Sequence, residues 1–132
     1  MIYFDSSALV KLVITEPESP ALRAFLVKFA RMPQLSSALV ATELRRTLIR
    51  LNLPKKVSDK ADEVLASLSL MPIAQPVLEY ASVMPGRHLR TLDAIHLATA
   101  FRLRSALFAL VTYDKRMMSA AVDAGLPVES PA

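Results

Sequence analysis

The chain has 132 residues, no cysteine, only two histidines, and sixteen lysines and arginines against twelve acids for a formal charge of +4. That excludes disulfide and thiolate chemistry and leaves too few ligands for an all-protein zinc site, while the positive charge permits attraction to nucleic acid without requiring it. No basic-then-apolar leader opens the sequence, and charges interrupt every apolar run short of membrane-spanning length, so a cytoplasmic protein with no membrane role is expected, folded as one domain over residues 1–132. Hydrophobic residues make up 53% of the chain, more than one core of this size encloses, so some apolar surface is expected to meet a partner.

In chain order, the opening MIYF reads as a strand that runs directly into Asp5, and SSALVKLVI as a short helix ending at TEPESP. ALRAFLVKFARM has helical spacing and QLSS the look of a short strand. ALVATELRRTLIRLN is an amphipathic helix with Leu44, Leu48 and Leu51 on one side and Arg45, Arg46 and Arg50 between them. Pro54 opens the helix PKKVSDKADEVLASL, whose buried stripe is Val57, Ala61, Val64, Leu65 and Leu68. LSLMPI is a strand candidate, and PVLEYASVM a helix closed by Pro85 and Gly86. LRTLDAIHLATAFRL is a strongly apolar helix, LFALVTY a buried strand, KRMMSAAVDAG a helix stopped by Gly125, and the PV at 127–128 a last edge strand. Strands alternating with helices predict an α/β fold with a central parallel sheet and helices on both faces.

Four acids stand in unusual places. Asp5 and Asp114 each follow an apolar strand and precede a helix, the end of a parallel sheet where ligands bind. Asp5 could instead be a plain N-cap. Thr112, two residues before Asp114, would set a hydroxyl beside that carboxylate if the strand extends so far. Asp93 shares a helical face with Leu89, Leu97 and Ala100, where a carboxylate is costly unless paired or bound to a cation. Glu43 aligns with Leu39 and Thr47, although Arg46 and Arg50 offer it an ordinary surface ion pair. By contrast Asp59, Asp62, Glu63, Glu16, Glu18 and Glu129 read as solvated charges, and His96 as a hydrogen-bonded core histidine rather than a metal ligand. His88, between Arg87 and Arg90, reads as a neighbour of a polyanion. Should the four carboxylates converge, only protonation or a divalent cation would relieve their repulsion, and all-oxygen ligation selects Mg²⁺ or Mn²⁺. An acidic metal pocket in a basic surround suits a phosphodiester.

IYFDSSALVK, ATELRR, LRTLDAIHLATA and LVTYDKRM, in this order and spacing, resemble a PIN-domain ribonuclease of the VapC toxin type over essentially the whole chain. The resemblance implies a three-layer α/β/α PIN-like fold and an endoribonuclease whose catalytic, metal-holding acids are Asp5, Glu43, Asp93 and Asp114. It implies Mg²⁺, with Mn²⁺ able to substitute, and Thr112 as the supporting strand-end hydroxyl. It also implies an RNA substrate and a cognate small antitoxin whose tail occupies a groove near the site; the apolar surplus adds the expectation of a homodimer. Met117 and Met118 stand where some relatives carry a further acid or Asn, which leaves a second metal site open. The alternative is a catalytically silent PIN-fold module for RNA binding or signalling. A phosphoacceptor receiver would want paired acids after the first strand and a late lysine, and a haloacid-dehalogenase-like phosphatase an Asp where Ser7 stands. With Gly86 and Gly125 the only glycines, nucleotide-fold motifs fail.

Overall fold

The layering begins with strand β1 (Ile2–Phe4), whose three side chains are all fully buried. Alternation sends Ile2 and Phe4 into one core and Tyr3 into another, so apolar layers must cover both faces of the sheet. The computed structural model describes residues 1–132 and supplies those layers. After β1 come α1 (Ser6–Val13), α2 (Ser19–Lys28), β2 (Gln34–Ser37), α3 (Leu39–Arg50), α4 (Lys55–Ala66), β3 (Ser69–Met71) and α5 (Gln75–Ser82). The chain continues through α6 (Thr91–Arg102), β4 (Ala109–Val111), α7 (Lys115–Asp123) and β5 (Val128–Glu129).

All strand pairs are parallel and the order is β3-β2-β1-β4-β5, with Ile2 opposite Gln34 on one side and Ala109 on the other. Leu9, Leu22, Leu44, Leu48, Ala61 and Leu65 bring α1 to α4 onto the face of Ile2 and Phe4. Leu97, Ala100, Met117 and Ala121 bring α6 and α7 onto the face of Tyr3, and Val77 of α5 packs on Ile95 and Ala98 of α6. The expected three-layer α/β/α architecture is therefore present. Its chain order reverses between β1 and β4, and a parallel sheet opens a crevice at the carboxyl ends of the two strands where that happens.

Local chemistry explains the boundaries. α7 ends in a Schellman turn: Gly125 takes φ +77°, its N–H reaches Val122 O at 2.9 Å, and Leu126 N–H reaches Ala121 O at 3.0 Å. The strand candidate LSLMPI shrinks to three residues because Pro72 has no N–H to give the ladder. LFALVTY also yields a shorter strand than its apolar run suggests. β4 stops at Val111, where the chain turns away toward α7.

Glu16 and Glu18 depart from the expectation of solvated charges. The prolines of TEPESP fold that segment back over α1, where Lys11 is buried, and both carboxylates meet its amine, Glu18 at 2.8 Å. Burial pulls the Lys11 amine down, yet the two acids prevail and hold it above its ordinary value. Ser19 Oγ locks the turn, donating to Lys11 O at 2.6 Å and accepting from Glu16 N–H at 2.9 Å. No helix is long and apolar enough to cross a membrane.

Candidate active site

Asp5 leaves β1 with extended backbone angles and enters the β1/β4 crevice only 3% exposed. Its Oδ1 accepts from Ala8 N–H at 3.1 Å, which makes it the N-cap of α1, and from Ser7 Oγ at 2.6 Å. Oδ2 accepts from Thr112 Oγ1 at 2.5 Å. Burial raises the Asp5 carboxyl above the usual carboxylate range, although Ser7, Thr112, the His96 ring and the Ala8 N–H all pull it down.

Thr112 and Asp114 arrive from the neighbouring strand. Because β4 ends one residue before Thr112, its hydroxyl turns to Asp5 and not to the Asp114 carboxylate; what it gives Asp114 is an acceptor for the backbone N–H at 3.1 Å. One fully buried hydroxyl thus joins the ends of β1 and β4. Asp114 caps α7, its Oδ1 accepting from the N–H groups of Arg116 at 2.8 Å and Met117 at 3.0 Å, while Oδ2 takes no protein hydrogen bond.

Glu43 on α3 ignores Arg46 and Arg50. Its Oε1 lies 2.5 Å from His96 Nε2, on α6, and its Oε2 accepts from Ser6 Oγ at 3.3 Å. His96 is fully buried and hydrogen-bonded as the sequence suggested, and its Nδ1 lies 2.8 Å from the Tyr3 hydroxyl. That oxygen in turn accepts from Ser37 N–H at 3.1 Å. Burial pushes the Tyr3 phenol far up, so it keeps its proton and can donate to Nδ1. A ring protonated on Nε2 then donates to Glu43, and each polar atom along the line from β2 to α3 has its partner.

Asp93 occupies the first turn of α6 and makes no side-chain hydrogen bond. Burial raises its carboxyl, and the negative charges of Asp114, Asp5 and Glu43 raise it further against the pull of His96. Asp93 therefore stands in the field of the other three acids, yet no three metal-binding side chains are close enough to form a ready-made cage for an ion. Uncompensated like charges with free oxygen lone pairs on Asp93 and on Asp114 Oδ2 suit a hard divalent cation such as Mg²⁺ or Mn²⁺. Met117 contributes nothing to such a centre, being fully buried in the core under α7.

Three partners of these acids are not indicated by the sequence in their roles, Ser6, Ser7 and His96 as the group that holds Glu43, nor is Tyr3 behind His96. The available signal was the Ser-Ser pair directly after Asp5, since small hydroxyl residues beside a buried carboxylate are natural donors to it.

A parallel sheet that sets Asp5 and Asp114 at its switch point, with Asp93 in the field of both and of Glu43, defines an acidic centre on a three-layer α/β/α scaffold. Residues 2–123 match the family model described as PIN domain. Ribonuclease VapC46 of Mycobacterium tuberculosis is 46% identical over 130 residues, covering 98% of this chain and 97% of that protein. Ribonuclease VapC35 of the same species is 42% identical over 133 residues, 99% and 97% respectively. In fold the chain is similar to VapBC2 from Rickettsia felis, solved bound to a promoter DNA fragment, with a TM-score of 0.76 at 17% identity and full coverage of both chains. FitAcB from Neisseria gonorrhoeae gives 0.72 at 22% identity over 99% of this chain and 98% of that one. The chain belongs to the PIN-domain family, among its VapC-type ribonucleases.

Proposed function

We propose that this protein is a metal-dependent endoribonuclease toxin of the cytoplasm, neutralised by a cognate small antitoxin. The observation that carries the reading is Asp93, a half-buried carboxylate with no hydrogen-bond donor, set in the field of three other acids. Such a group needs a proton or a cation. Asp5, Asp93 and Asp114 would hold Mg²⁺ or Mn²⁺, with Glu43 joining directly or through water. When bound, the ion lowers the pKa of a water and offsets the charge that develops on an RNA phosphodiester.

The chain's own task is to hold the carboxylates in place. Thr112 and Ser7 fix Asp5, the first N–H groups of α7 fix Asp114, and His96 fixes Glu43, while Asp93 and Asp114 Oδ2 are left without a protein donor. His96 is buried too completely to reach a substrate. Water attacking in line with the 3′-oxygen expels it as a 3′-hydroxyl and leaves a 5′-phosphate, with the 2′-hydroxyl uninvolved.

The antitoxin is supported by the nature of the relatives and by apolar side chains left uncovered. Val27, Ile49, Val83 and Val122 are all more than half exposed, and the same surplus supports a homodimer. Purified protein incubated with RNA should cut it in Mg²⁺ or Mn²⁺, fail in EDTA, and recover poorly in Ca²⁺, which tolerates looser geometry. Asp5→Asn and Asp93→Asn should each lose orders of magnitude in rate while staying folded. Robust cleavage in EDTA, or cyclic phosphate ends, would refute the mechanism.

A further inference from the structure

A cleft of about 460 Å³ runs between the 86–89 loop and the outer face of α7, lined by Arg87, His88, Lys115, Arg116, Ser119 and Asp123 together with a few smaller side chains. Gly86 takes φ +119°, a backbone conformation that side chains rarely adopt, which is what the turn of this loop requires. Lys115 and Arg116 directly follow Asp114, and the Arg116 N–H is bound to its carboxylate. Arg87 and His88 lie on the segment leading to the helix that carries Asp93. One end of the cleft is therefore formed by the residues that directly follow Asp114.

Three full positive charges line it against one acid, Asp123, and none of the three is in an ion pair, unlike Lys11, Arg45, Lys55 and Lys60. Carboxylates in a crevice repel a polyanion, so cations beside them are what would keep one there. Only Leu89 and Ala120 of the lining are hydrophobic, and the His88 imidazole is the one ring there that could stack on a base. Unpaired cations sense phosphate charge, and stacking on a single ring is tolerant of sequence, so such a surface does not read base identity.

We infer that this cleft carries the sugar-phosphate backbone of single-stranded RNA flanking the bond that is cut, and contributes affinity without sequence choice. The inference rests on the ribonuclease reading above. Arg87, Lys115 and Arg116 are its phosphate contacts, and whatever selects the RNA sequence lies elsewhere on the surface.

The test is fluorescence anisotropy of labelled single-stranded RNA on the Asp5→Asn protein, with affinity followed as a function of salt. Each phosphate contact on a single strand adds about 0.7 to the slope of log affinity against log salt, so Arg87→Gln with Lys115→Gln should lower it by about 1.4. Lys55→Gln with Lys56→Gln on α4 removes the same net charge and should leave the slope alone. The loss should be equal for oligouridylate and oligoadenylate. An unchanged slope, an equal fall in the α4 control, or a loss confined to one sequence would overturn the assignment. So would intact RNA binding with lost antitoxin binding, which would give the cleft to a protein. If the unsubstituted protein neither binds nor cuts RNA in Mg²⁺, the ribonuclease reading fails as well; if it cuts and only the slope prediction fails, the cleft assignment alone is wrong.

Discussion

Thr112→Val replaces a hydroxyl by a methyl of nearly the same shape, and its cost follows from three contacts. The Asp5 carboxylate, 3% exposed, loses the donor at 2.5 Å and cannot recover it from water. A hydrogen bond to a charged group contributes roughly 1.5–3 kcal/mol. The Asp114 N–H loses its acceptor in a partly buried setting, at the lower end of the roughly 1–3 kcal/mol for an unpaired donor. The contact with Ser7 Oγ, at 3.4 Å, is too long to add much. Together these predict a loss of about 3 kcal/mol, against about 1 kcal/mol for Thr112→Ser, which keeps the hydroxyl and drops one methyl. Urea unfolding followed by circular dichroism, in EDTA at neutral pH, measures both. The difference has a pH signature. Removing the donor lifts the already raised Asp5 titration further, so the cost is complete above that titration and shrinks as pH falls through it. Val and Ser variants of equal stability, or a gap that widens toward acid, would refute the reasoning.

Asp5 and Asp93 are both raised in the folded chain, so the metal-free protein should gain stability as pH falls from their raised values toward the ordinary carboxylate range. Asp93→Asn should raise the melting temperature at neutral pH in EDTA and flatten that gain; scanning calorimetry showing a steady fall from neutrality would contradict this. At lower pH the trend should reverse, because Glu18 is held below its usual range by Lys11 and its pairing fails as it takes up a proton. Tyr3→Phe strands Ser37 N–H and His96 Nδ1 in full burial and should cost about 2–4 kcal/mol in urea unfolding. It should also slow RNA cleavage with little change in KM, since Glu43 loses the support behind its imidazole partner. Lys11→Met should lower the melting temperature by a few degrees and leave the cleavage rate unchanged, because the amine pairs with Glu16 and Glu18 and makes no hydrogen bond to any of the four acids.

Strand-end acids were legible because an apolar run broken by a carboxylate is a local pattern, and the parallel sheet was legible from strands alternating with helices. The stripe of α4 was legible too, with Ala61 and Leu65 buried and Val57, Val64 and Leu68 packed beside them. What stayed hidden was partner choice across the fold. Arg46 and Arg50 are the neighbours that helical spacing offers Glu43, while its actual partner His96 is 53 residues away and becomes adjacent only when α3 and α6 meet at the crevice. The turn of Thr112 toward Asp5 depends on where β4 ends, which an unbroken apolar run does not reveal. Lys11 is a similar case: its burial follows from a proline-bent segment folding back, so neither the lysine nor the two glutamates shows the pairing in its own stretch of sequence.

The two outer strands are short, three residues in β3 and two in β5, and prolines stand at their ends, Pro72 after one and Pro127 before the other. A foreign strand laid along either margin would find a ladder only a few rungs long before an imide nitrogen ended it. Sheet-to-sheet polymerisation, the hazard of any chain this apolar, has nowhere to begin. The apolar side chains left open to a partner include Val27, Ile49 and Val122 on helices, where substitution can tune association without disturbing the backbone that supports the crevice.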